Sequence, residues 1–428
     1  MYIRTVFAQA VLASIVLPAC LLSAGSAAEN ASGVLSLVEA ERKALEIDPV
    51  MAKFQAQSDA FSARAVAEGQ LPDPELSLGL AEVPLDNFDF GEHEDTEVRL
   101  GLTQSFPAGR TLRFRTERMD AMAGAERARV QNQGLLVLQG VRSAYLELYF
   151  LQEARRILDL NRDLFREMAE ITERQYAEGR DNQHDVIRAQ LELSLIEDRI
   201  EETDGVINVA RAELAKWVGG GNAARPLDTG EPLLPPLPAI DEIVAHLPHH
   251  PLLKVEDAGI EAAQKSVAIA EEQYKPQWML DFMLSENTGS RFDQRTGPDF
   301  AGVFLKMSLP IFTGKRQDKQ LVASQQEAIA ARHDRADNLR ELTRQAEAEY
   351  ASFEKLERRL DLYRQRATVE ALQTQEATFN AYQNDLADFE TLVRARSLSL
   401  QTELEMLRIR ADRLKSHAGL LYLAGETL

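Results

Sequence analysis

Along most of the chain apolar residues recur at intervals of three and four, but in four short stretches they alternate with polar ones. Leu76, Leu78 and Leu80 alternate with Glu75, Ser77 and Gly79, and Val98, Leu100 and Leu102 with Glu97, Arg99, Gly101 and Thr103. Later, Trp278, Leu280, Phe282 and Leu284 alternate with Gln277, Met279, Asp281 and Met283, and Val303, Leu305, Met307 and Leu309 with Gly302, Phe304, Lys306 and Ser308. A period of two belongs to a strand with one apolar face. The pattern predicts strands over 74–83, 96–106, 277–286 and 300–310. The polar loops from Asp86 to Asp95 and from Glu286 to Asp299, rich in Gly, Asp and Asn, join them into two hairpins.

The helical stretches are longer than those of ordinary globular proteins. From Gly109 to Tyr176 there is no proline, and the glycines at 124, 134 and 140 are isolated. A helix over 109–176 would run on the order of 100 Å at about 1.5 Å per residue, and 314–382 repeats its length. Leu138, Val141, Tyr145 and Leu148 keep three/four spacing, as do Ile196, Ile200, Ile207, Ala210 and Leu214, and Leu400, Leu404, Leu407, Ala411 and Leu414. This is coiled-coil packing. The returning helices 181–218 and 385–425, and the opening stretch from Ala40 to Gln70, are each roughly half the rod, so two of them stack beside it.

The chain repeats itself after about 200 residues. Asp48-Pro49 is echoed by His250-Pro251, Leu71-Pro72 by Lys275-Pro276, and the run from Leu102 to Pro107 by that from Leu305 to Pro310. Tyr176 with Asp185 to Ala189 is echoed by Tyr382 with Thr391 to Ala395. Two units, 29–218 and 239–428, are joined by 219–238, where a triple glycine and five prolines argue against helix or paired strand and for a surface linker. The predicted fold is mainly α: two tandem repeats of long antiparallel coiled-coil helices, with four strands at one end.

Composition then narrows the setting. Arg4, the apolar run from Val11 to Leu22 and the small residues Ser26 to Ala28 read as a signal peptide over 1–28. Cys20, the only cysteine, could carry lipid, but the apolar core continues past it to Leu22 and Pro18 sits inside the box. Without it the mature chain has no thiol for a disulfide, a metal or catalysis. The net charge of −20 argues against nucleic acid and against acidic lipid heads. Past the leader no apolar run reaches spanning length, so a membrane crossing must use strands. No nucleophile elbow, phosphate loop or His-x-x-x-His is present, and an enzyme is not expected. No cofactor is expected either.

Four strands leave two open edges, and lipid tolerates no unpaired backbone groups. Closure across copies removes the edges, and three copies would give a barrel of about twelve strands with a polar interior. Here the residues resemble the TolC family of outer-membrane channels. The resemblance rests on the two-fold repeat, on Leu71-Pro-Asp-Pro-Glu-Leu76 opening a strand, on Gln104-Ser-Phe-Pro107 before the long helix, and on the run from Tyr176 to Ile187 at the far turn. It implies a homotrimer in the outer membrane of a Gram-negative bacterium, a helical tunnel through the periplasm, and a tip that meets a periplasmic adaptor tied to an inner-membrane pump, of the RND type in the heavy-metal branch. The cargo expected is heavy-metal cations. Drug efflux or type I protein secretion is the alternative, and a periplasmic coiled-coil adaptor or scaffold a further one.

The resemblance also places candidate residues at the tip. The positions where the family carries an acid pair in its second unit hold Thr391 and Arg394, so the usual acidic constriction is absent. The expected gate is Asp185, Arg188, Glu390, Thr391 and Arg394, with a bridge from Asp185 or Glu390 to Arg394 across neighbouring helices. Gly179, Arg180, Asp181, Asp385 and Asp388 are the expected adaptor contacts. Elsewhere, His246, His249 and His250 could bind a metal, but the stronger reading is a helix-opening turn. Met279 and Met283 share the polar face of the third strand, as soft donors or, more plainly, as filler.

Overall fold

The computed structural model describes residues 33–83, 96–179, 182–287, 298–384 and 386–425. The leader with Cys20, most of both hairpin loops, and Arg180, Asp181 and Asp385 lie outside the described residues. In chain order the elements are α1 Leu37–Ile47, α2 Pro49–Glu68, β1 Glu75–Ala81, β2 Glu97–Phe106, α3 Thr111–Ala177, α4 Gln183–Val218, α5 Gly220–Ala223, α6 Ile240–His246, α7 Pro251–Glu272, β3 Trp278–Asn287, β4 Phe300–Met307, α8 Gln317–Leu362, α9 Thr368–Gln383 and α10 Phe389–Leu423. It is mainly helical with one small antiparallel sheet.

The opening stretch is two helices rather than one. Asp48 has an extended backbone and its Oδ1 accepts the Met51 N–H at 2.7 Å, while Pro49 takes the first helical position. An acid cap followed by proline starts a new helix. The second unit repeats the device with a different acceptor. His250 Nδ1 accepts the Leu252 N–H at 3.2 Å and Pro251 opens α7.

α3 runs 67 residues without a break. Its counterpart differs from the uninterrupted helix expected over 314–382, because a π-helical turn, Tyr363–Ala367, separates α8 from α9. The join also differs from expectation. Gly220–Ala223 forms a helical turn, and Leu227 pairs in a parallel bridge with Leu35, both side chains being buried. Glycines favour no helix, but α5 continues from the C-terminus of α4 after the single turn-making residue Gly219, whose φ of +81° suits glycine. Ala223 and Leu227 anchor the segment to the core, while most of its other residues lie at the surface.

Apolar burial is spread along the column. Val137, Val141, Tyr145 and Leu148 of α3 meet Leu214 and the N-terminal Leu35 and Leu37. Toward the tip Ile157, Leu158 and Phe165 meet Ile196, Ile200, Phe389 and Val393. A third cluster joins Ile243, Leu247 and Leu253 to Leu342 and Leu420. In the half toward the sheet the helices pack in the order α2, α3, α7, α8, and toward the tip in the order α4, α3, α10, α9.

The sheet order is β1-β2-β3-β4, all antiparallel. The central pair joins the two units over ten residue pairs, from Glu97↔Asn287 to Phe106↔Trp278. Register puts Leu78, Leu100 and Leu284 in one row and Leu102, Phe282 and Val303 in another, so one face is a continuous apolar surface. At the passage into the helices Gly109 takes a φ of +52°, and a Cβ there would overlap the Glu272 carboxylate.

Candidate functional site: the sheet faces and the helical tip

The two sheet faces differ in chemistry because the side-chain period is two. On the apolar face Leu76, Leu78, Leu80, Leu305 and their neighbours are exposed to an extent that marks an interaction surface. The other face carries Glu97, Arg99, Thr103, Asp281 and Lys306. Arg99 Nε donates to Glu97 at 2.9 Å, and Lys306 Nζ meets Asp281 at 2.6 Å. Met279 stands opposite Lys306 and Met283 opposite Gly302, with Asp281, the partner of Lys306, between them along β3. Phe300 and Phe304 share this face and interrupt its polarity.

At the far end α3 stops where Gly179, at a φ of +71°, turns the chain, with the Gly179 N–H donating to Tyr176 O at 2.9 Å. Asp185 lies in the first turn of α4, where an acid suits the exposed N–H groups. α10 is opened by Asp388, whose Oδ1 accepts the Thr391 N–H at 2.8 Å. Hydrogen bonding from Thr391 holds the Asp388 carboxyl below its usual range. Thr391, expected in the gate, is thus also the partner of the helix cap.

The expected bridge across helices to Arg394 is not the contact observed. Arg394 Nη2 donates to Glu390 Oε1 at 2.8 Å, but both lie on α10 one turn apart. The group that reaches Glu390 from the neighbouring helix is Arg188 of α4, at 3.9 Å. Spacing explains the difference, since residues four apart on a helix are always within reach. Glu390 therefore serves two arginines.

Beneath these charges Phe389, Leu392, Val393 and Ala189 are buried. Tyr382 stacks edge-on against Phe389 at 6.0 Å and donates to Gln175 Oε1 at 3.1 Å, while Gln190 donates to Glu173 at 2.9 Å. These polar partners were missed by sequence reasoning, and only the recurrence of Tyr176 as Tyr382 pointed near them. The histidines do not converge on one point. His250 is buried with both ring nitrogens engaged, Nε2 donating to Tyr422 O at 3.0 Å, and burial pushes its pKa down. His246 Nδ1 bonds to Glu242 O at 2.8 Å.

A long column with a small sheet at one end and a polar turn at the other has counterparts among known proteins. Residues 41–220 and 243–426 match the family model for outer membrane efflux proteins, one match in each unit. The chain belongs to the outer membrane efflux protein family. This places it among TolC-type channels of the outer membrane that reach into the periplasm, and sets aside the adaptor or scaffold reading. No curated protein matches the sequence. Among solved structures, the outer membrane protein VceC from Vibrio cholerae is 20% identical, with 91% of this chain and 96% of that one covered at a TM-score of 0.75. CusC, described for its folding and transmembrane channel formation, is 15% identical over 92% of each chain, with a TM-score of 0.75. The open-state MtrE outer membrane channel of Neisseria gonorrhoeae is 15% identical, covering 91% of this chain and 88% of that one at a TM-score of 0.71. At such identities the likeness shows the shared fold. The family and these neighbours are channels, not enzymes.

Proposed function

We propose that three copies of this efflux-family chain close into one passive conduit, their sheets into a barrel of twelve strands and their helices into a tunnel across the periplasm. The observation that carries this is a sheet with two open edges, β1 and β4, beside an apolar face on which Leu76 and Leu78 are 72% and 76% exposed. Joining β4 of one copy to β1 of the next pairs both edges and turns the apolar face toward lipid. Strands of seven to ten residues suit a tilted crossing. In fractionated cells the protein should require detergent and migrate as a trimer from the outer membrane. A soluble periplasmic monomer would contradict the proposal.

The tip then meets a periplasmic adaptor coupled to an inner-membrane pump of the RND type, with Gly179, Arg180, Asp181, Asp385 and Asp388 as contacts and Asp185, Arg188, Glu390, Thr391 and Arg394 as the gate. The cargo is heavy-metal cations, a reading supported by the Leu71-Pro-Asp-Pro-Glu-Leu76 opening. Deleting the gene should lower tolerance to zinc, cobalt, cadmium, copper or silver. Unchanged tolerance to all five would leave drug or protein export as the cargo.

A further inference from the structure

Toward the tip α4 and α9 are the two outer helices, with α3 and α10 between them. Each presents an apolar stripe that no other described residue covers. On α4 the exposed positions Ile187, Leu191 and Leu195 continue, after Asp198 and Glu202, into Val206 and Val209. On the other edge Phe379, Leu372 and Val369 continue, past Arg366 and Arg364, into Leu362. The α4 stripe keeps three/four spacing, and on the other edge Leu362, Arg366, Val369 and Leu372 keep it too, as two helices packed side by side require.

The interruptions complement each other in sign and in place. One is acidic, with Glu197 and Glu201 flanking Asp198 and Glu202, and the other is basic. Both lie about five helical turns, roughly 25 Å, from the tip ends of their helices at Gln183 and Gln383. The basic one falls on the π-helical turn Tyr363–Ala367, which has no counterpart in α3. That turn carries Arg364 and Arg366, of which Arg366 keeps the spacing of the stripe. Both are exposed, and Arg366 makes a 3.4 Å contact with Glu370 on its own helix.

We infer that the acidic stripe of α4 in one copy docks against the α8–α9 edge of a second copy of this chain, with Arg366 set against Asp198 and Glu202 and Arg364 at its flank. The apolar residues on either side, Leu195 with Leu372 and Val206 with Leu362, close the same seam. A charge row inside an apolar stripe fixes register, because a slip of one turn buries unpaired charge. The inference rests on the closed-conduit reading above and specifies how adjacent copies find their alignment.

The test uses the full chain extracted from outer membranes. The double reversals Asp198→Lys with Glu202→Lys, and Arg364→Glu with Arg366→Glu, should each lower the trimer fraction about tenfold at low ionic strength, and combining all four should restore it to within about twofold of the parent. A second variant, Leu195→Cys with Leu372→Cys, should give a covalent trimer on mild oxidation that reductant dissolves, since α3 and α10 keep the two positions apart within one chain. Trimers that form without cross-linking, or reversals that neither weaken nor rescue, overturn the seam while leaving the conduit standing. A parent chain that is itself monomeric overturns both.

Discussion

The tip shows how a single carboxylate can be placed to serve two neighbours. Glu390 accepts Arg394 from its own helix and lies 3.9 Å from Arg188 on α4. On the gate proposed above, replacing Arg394 by Ala should loosen closure and raise single-channel conductance in planar bilayers, and Arg394→Asp should add block by cations. Unchanged conductance and block in both variants would assign closure to the apolar layer of Phe389, Leu392 and Val393. At the other end Glu272 is almost fully buried where α7 meets the sheet. Burial pushes its carboxyl up, but hydrogen bonds from Lys275 and the Arg110 N–H, at 2.7 and 2.8 Å, outweigh it and hold the group below the usual range. A folded pKa below the unfolded one stabilises the native state above the unfolded pKa, and the gain is lost as pH falls through the folded value. Thermal unfolding followed by circular dichroism should therefore show Glu272→Gln costing about 1–3 kcal/mol at pH 7. The difference from the parent should shrink below about pH 4.5.

At the level of elements, legibility in the sequence followed the physics that wrote each signal. Alternating Leu76, Leu78 and Leu80 could be read as a strand because a half-buried sheet forces a period of two, and Asp48-Pro49 marked a helix start because cap and φ are local properties. His250-Pro251, the echo of Asp48-Pro49, marked a helix opening in the same way, but not the ring's own bonds. Its cap depends on the Tyr422 carbonyl, 172 positions away, holding the ring in one tautomer. The π turn was equally hidden, since Tyr363 to Ala367 contain neither proline nor glycine. The Arg188 contact was missed because it depends on how α4 and α10 pack, which helical spacing does not report. Because burial lowers the His250 pKa, protonation of Nδ1 would destroy the α7 cap. His250→Asn, which keeps an acceptor, should unfold within about 1 kcal/mol of the parent at pH 7, whereas His250→Ala should cost roughly 1–2 kcal/mol. Stability of the parent should fall as pH drops below the ordinary histidine value, and that of His250→Asn should not follow in this range.

Over the whole molecule, the mainly helical fold with four strands was legible because both periods persist for many residues, and the duplication doubled every signal. Its closure by further copies is a proposal resting on the open sheet edges. On that reading, Leu78→Arg puts a charge on the lipid-facing surface of every subunit, at about 2–4 kcal/mol for each arginine near the midplane. The trimer yield in outer-membrane fractions should collapse, while Ser77→Arg on the opposite face should leave assembly largely intact. One feature of the architecture reaches further. The two units meet through the ten-pair β2–β3 ladder and through α3 packed on α7 and α10, so their association does not depend on the peptide chain that joins them. Cutting that chain beside the fully outward Leu233 should yield two fragments able to find each other when co-expressed and to sediment as one complex. Evolution of such a protein is then a matter of two partners that can mutate separately, one tuning its half of the rim while the other keeps the fit.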